Sequence, residues 1–77
     1  NWRERIVTDA DTCGGRPRIK STRITVEFLL GLKAAAWTEE QILENYPHLV
    51  REDLQAVFAY AQTIIEDESF VPVARAG

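Results

Sequence analysis

The sequence predicts a mainly α fold: a basic N-terminal β-hairpin followed by three short helices in a helix-turn-helix arrangement. Three observations carry this reading. Gly14-Gly15 is a turn signal followed by the proline-marked run Arg16-Pro17-Arg18-Ile19-Lys20. Thr38-Glu39-Glu40-Gln41 is a capping box, with Thr at the N-cap and Gln three residues on. Leu54, Val57, Phe58, Ala61, Ile64 and Ile65 recur at spacings of three and four, the mark of an amphipathic helix. The 77 residues make one domain, divided here into a basic hairpin region (6–25), a three-helix bundle (26–67) and a tail (68–77). At this size one core rarely supplies more than ~3–5 kcal/mol, so association is a common remedy and a homodimer is expected.

Trp2 to Asp11 reads as an irregular lead-in or short strand around Ile6 and Val7. Pro17 confines the next strand, Arg16–Lys20, to an edge. Ser21-Thr22 turns the chain, and Arg23-Ile24 pairs back as the second arm of the hairpin. Thr25 suits an N-cap and Glu27 suits the positive end of the helix dipole, so the first helix runs from about Val26 to Ala36. It is apolar on two sides, with Val26, Leu29 and Leu30 on one and Phe28, Leu32 and Ala35 on the other. The second side predicts a cover from another copy of the chain, and Phe28, Leu29 and Leu32 are the expected dimer interface. The second helix starts after Thr38 and stops before Pro47, because the residue preceding a proline avoids the α region. The third begins near Arg51 and presents Glu52, Gln55, Ala59, Gln62 and Glu66 opposite its apolar stripe.

Charge is unevenly placed. Residues 1–33 hold seven Lys/Arg and four Asp/Glu (+3), and residues 34–77 hold two and eight (−6), for a formal net charge of −3. Arg16, Arg18, Lys20 and Arg23 fall within eight residues and can neutralise phosphates, a term that weakens steeply with salt. Two such hairpins in a dimer would suit a palindromic site. A recognition helix would be the third one, where Arg51 and Gln55 are the candidate base readers, but Glu52, Asp53 and Glu66 would repel phosphate. The acidic set Glu39, Glu40, Glu44, Glu52 and Asp53 offers a different use, neutralising a basic protein partner.

Catalytic chemistry finds little support. His48 is the only histidine and sits in a turn without a nucleophile beside it. Cys13, the only cysteine, allows no internal disulfide and fits a reducing cytosol, and one Cys with one His makes no zinc pattern. Gly14-Gly15 leads into Arg-Pro and so is no phosphate-binding loop. The expectation is a cytoplasmic non-enzyme with no cofactor, no metal and no membrane span.

The run GGRPRIKSTRITVEFLL, with WTEEQILENYPHLVREDLQAVFAYA after it, resembles the prokaryotic family known as domain of unknown function 433, over roughly Ile6 to Ile65. The pattern is carried by Gly15, Pro17, Ile19, Thr22-Arg23-Ile24, Tyr46-Pro47 and Leu49. The resemblance implies a homeodomain-like three-helix fold behind a β-hairpin, and kinship with VapB-type antitoxins. Members pair with a small PIN-type ribonuclease toxin and are inferred to bind it and their own operator DNA. For this chain that implies an antitoxin-like regulator of a toxin–antitoxin module, with Phe70, Val71 and Val73 of the tail engaging the toxin. The alternative is a protein–protein interaction module with no nucleic-acid role. Ser21 and Ala36 depart from the family by standing where glycines are usual, and Val50 by standing where a Ser or Thr often caps the third helix. A non-glycine at a left-handed position costs on the order of 1 kcal/mol or more.

Overall fold

The computed structural model describes residues 1–67. The expected partner-binding residues Phe70, Val71 and Val73 lie outside the described residues. In chain order come a 3-10 turn at Trp2–Glu4, strand β1 (Ile6–Val7), a 3-10 turn at Cys13–Gly15, strand β2 (Arg18–Ile19), and helices α1 (Val26–Ala34), α2 (Glu39–Asn45) and α3 (Arg51–Asp67).

The hairpin is assembled differently from the local expectation. β2 pairs antiparallel with β1, Ile6 opposite Ile19 and Val7 opposite Arg18. The arm expected at Arg23–Ile24 is reduced to a single bridge between Arg18 and Thr25, supported by the Ile19 N–H to Ile24 carbonyl bond (2.9 Å) and the Val26 N–H to Pro17 carbonyl bond (2.9 Å). The register puts both Ile6 and Ile19 into the core. A strand with one inward side chain needs a partner whose inward side chain lies opposite, and Ile6 supplies it. Pro17 falls one residue before β2, where its missing N–H breaks no ladder bond. Cys13, Gly14 and Gly15 follow one another at φ of 54°, 65° and 80°, a left-handed turn that two glycines make accessible.

The first two helices begin where their caps place them. The Thr25 hydroxyl accepts the Phe28 N–H (3.0 Å) at the start of α1. Thr38 and Gln41 close their box in both directions: the Thr38 hydroxyl accepts the Gln41 N–H (3.0 Å), and the Thr38 N–H donates to Gln41 Oε1 (2.8 Å). α1 ends in a Schellman turn, with the Ala36 N–H bonded to the Lys33 carbonyl and the Trp37 N–H to the Leu32 carbonyl, both at 3.0 Å. That motif needs a left-handed residue after the cap, and Ala36 takes it at φ 72°. Ser21 is likewise left-handed, at φ 68°.

The core gathers Ile6 and Ile19 from the strands, Val26 and Leu29 from α1, Ile42 from α2, Leu49 from the connection, and Leu54, Ala56 and Val57 from α3. Two residues differ in burial from the sequence expectation. Within one chain α1 buries Val26 and Leu29, so Leu29, expected at a dimer interface, belongs to its own chain's core, whereas Phe28 is 42% exposed and edge-on to Tyr46 at 5.6 Å. Asp53, read from sequence as surface acid, is buried. One of its oxygens accepts from Arg5 Nη1 (3.0 Å) and the other from the Val50 N–H (3.0 Å). A buried carboxylate persists only with such partners.

Candidate functional site

The six side chains expected to meet DNA do not converge. Arg16 pairs with Glu27 at 2.6 Å, and Arg51 with Glu39 at 3.1 Å. Arg18 turns inward: its Nη1 donates to the Thr22 carbonyl (3.1 Å), its Nη2 stands 4.0 Å from Asp9, and its Nε is buried without a partner. It locks the Arg18–Thr25 corner and has little reach to a ligand. Among the described residues, Lys20 and Arg23 are the two hairpin cations that stand exposed and outside any ion pair. Lys20 borders a cleft with Arg5, Ser21, His48 and Val50, but Glu4 and Asp53 line it too.

α3 is poorly presented as a reading helix. The Trp2–Glu4 turn lies against it, with the Trp2 ring edge-on to Tyr60 at 4.9 Å between centroids and the Arg3 guanidinium 4.6 Å over Trp2. Gln55 is exposed, but it shares its cleft with Trp2, Glu4, Glu52 and Ala59. Nothing in the local sequence pattern announces this turn; the Trp2–Tyr60 pair is a contact across the whole chain.

The prominent surface feature is apolar. α3 runs for 17 residues, ~25 Å, yet its buried residues (Asp53, Leu54, Ala56 and Val57) all fall in the first seven positions. The rest of the predicted stripe is bare: Phe58 is 47% exposed, Ile64 42% and Ile65 54%. Phe58 closes one side of a recess of about 30 Å³ floored by Leu29, Leu54 and Val57 and flanked by Lys33 and Glu39. Periodicity alone marked these positions as apolar, but gave no sign that the bundle would end beside them. Leu32 is half-buried on α1 and shares a shallow groove with Phe28 and Gly31. Of the three residues expected at a dimer interface, Phe28 and Leu32 therefore retain surface and Leu29 does not. Among the described residues no three metal-ligating side chains gather, and no helix is long and apolar enough to cross a membrane.

Comparison with known proteins places this geometry. Residues 6–61 match the model of the family described as Protein of unknown function (DUF433). The fold is similar to the crystal structure of a DUF433 member protein from Anabaena variabilis, with a TM-score of 0.75 and 36% identity, over 79% of this chain and 60% of that one. This chain thus spans about 60% of that protein's length. No protein of curated function matches. With a family model covering well over half of its length, the chain belongs to the DUF433 family.

Proposed function

We propose that this domain acts through protein contacts, as an antitoxin-like interaction module with an acidic surface for a basic partner and an apolar interface on the outer half of α3. The observation that supports this reading is the exposed set Phe58, Ile64 and Ile65 on one helix, set against a hairpin in which two of the four cations, Arg16 and Arg18, face acids of their own chain. Exposed apolar clusters of this kind mark interaction sites. The −6 balance of residues 34–77, with Glu40, Glu44 and Glu52 exposed, suits a basic protein such as the PIN-type ribonuclease that family resemblance implies. Self-association as a homodimer belongs to the same reading. The test is calorimetric titration against the product of the neighbouring gene. The double variant Glu40→Lys/Glu44→Lys should weaken binding at least tenfold; unchanged affinity would remove the acidic surface from the account.

A second reading, operator binding, draws on Lys20 and Arg23, exposed at the hairpin turn and outside any ion pair among the described residues. Fluorescence anisotropy against upstream and scrambled duplexes at ~50 and 200 mM salt decides it, because multi-phosphate contacts lose orders of magnitude over that range. Tight, upstream-preferring binding abolished by Lys20→Glu/Arg23→Glu would establish DNA as the ligand. No binding at either salt leaves the interaction module.

A further inference from the structure

We infer that two copies of this chain meet through the outward face of α1, packed antiparallel about a two-fold axis at Gly31 and Leu32. This rests on the reading of the domain as one that acts through protein contacts, and it gives self-association a surface separate from the outer half of α3. The first argument is a glycine without a use inside its own chain. Gly31 lies within α1 and outside the positive-φ region, so its backbone conformation does not call for glycine. A Cβ added there would meet nothing within 4 Å, so packing within the chain does not call for it either. Inside a helix, glycine is the less favourable choice beside alanine. What it provides is open access to the helix backbone, and with Phe28 and Leu32 it lines a groove rimmed by Arg16, Thr25 and Glu27.

The second argument is the charge and shape of that face. Val26 and Leu29 hold α1 to the core, while Phe28, Gly31, Leu32 and Ala35, at spacings of three, four and seven, make up the side turned away from it. α1 has two charged residues, Glu27 and Lys33. Lys33 borders the recess toward α3, and Glu27 pairs with Arg16 at 2.6 Å. The groove therefore carries one cation and one anion that neutralise each other. A basic partner suited to the acidic half of the chain finds no uncommitted acid here. A neutral face meets its own copy without repulsion, as a two-fold contact of one patch with itself requires. The face is also graded in size: Phe28 stands at one end, 42% exposed, and Ala35 at the other, about two turns away. Antiparallel pairing sets Phe28 of each copy over Ala35 of the other, large on small, with Gly31 at the crossing where the helices approach most closely. Parallel pairing would set Phe28 against Phe28 and leave a gap between the alanines.

Sedimentation equilibrium from ~1 to 300 µM is the first test, because about two turns of helix cover less than the ~800 Å² per partner of a standard interface and should part at micromolar concentration. The wild-type chain should pass from monomer to dimer. Phe28→Glu should stay monomeric with unchanged circular dichroism, and Ile65→Glu should dimerise like wild type. Gly31→Gln should act in two directions. It should raise the thermal midpoint of the dilute monomer, because glutamine is the better helix former, and weaken the dimer at least tenfold. In a Cys13→Ser background, Leu32→Cys should be trapped as a covalent dimer by a short thiol cross-linker, and Glu40→Cys should not. A wild-type chain that stays monomeric throughout, a dimer left intact by Phe28→Glu and Gly31→Gln, or one dissolved by Ile65→Glu instead, would overturn the pairing. A monomeric chain that still binds the neighbouring gene's product would overturn the second copy and leave the protein-contact reading in place. A chain that dimerises through Phe28 and ignores that product would remove the basic partner and uphold the second copy.

Discussion

From Arg51 to Val57, α3 is held from several sides: Leu54, Ala56 and Val57 are in the core, and Asp53 joins Arg5 of the N-terminal segment to the Val50 N–H. From Phe58 onward the same apolar spacing continues, but Phe58, Ile64 and Ile65 stand about half in solvent. The difference lies in the neighbours. α1 ends at Ala34 and α2 has only seven residues, so the bundle is shorter than its longest helix. Apolar periodicity on a helix therefore specifies a face that wants cover, without saying whether the cover comes from the same chain.

The sharpest way to test the contrast is truncation on either side of it. Leu54→Ala should destabilise the domain by about 2–4 kcal/mol in chemical denaturation, the cost of lost burial plus a cavity. Next in size is Asp53→Ala, about 1–3 kcal/mol, because the Val50 N–H loses its acceptor and Arg5 its partner. Asp53→Asn should recover part of that loss by keeping an oxygen for the Val50 N–H. Ala36→Gly gives an internal standard outside α3: relieving a left-handed alanine should raise stability by about 1 kcal/mol. Val50→Ser should add about 0.5–1 kcal/mol, since Asp53 already supplies one half of a capping box and the hydroxyl would supply the other. Ile65→Ser, at a dilution where the chain is monomeric, should change the midpoint least, by no more than ~0.5 kcal/mol. A cost like that of Leu54→Ala would erase the distinction between the halves.

Much of this architecture was legible locally. The caps at Thr25 and Thr38, the stop before Pro47 and the start of α3 near Arg51 stand where side-chain chemistry next to the backbone puts them. The departures at Ser21 and Ala36 identified left-handed positions, and both are left-handed. The hairpin partner was not legible, because Arg23–Ile24 is near in sequence while Ile6 is the residue that faces Ile19 across the core. The candidate DNA contacts lie further apart in space than in sequence for a related reason. Four cations in eight residues look like one patch on paper, but in space Arg16 meets Glu27, Arg18 turns inward, and Lys20 and Arg23 remain.

By itself, then, the sequence determined the helix boundaries, the turn conformations and the apolar faces, since capping bonds, proline sterics and 3.6-residue periodicity act over a few residues. Only the tertiary structure decided which strand pairs with β2, that Leu29 and Asp53 are interior, and that α3 outruns its bundle. Those outcomes depend on distances between segments far apart in the chain: Arg5 reaches Asp53 across 48 positions and Trp2 reaches Tyr60 across 58. Such contacts form when burial outweighs the entropy of closing the loop between them, a balance that no local pattern records.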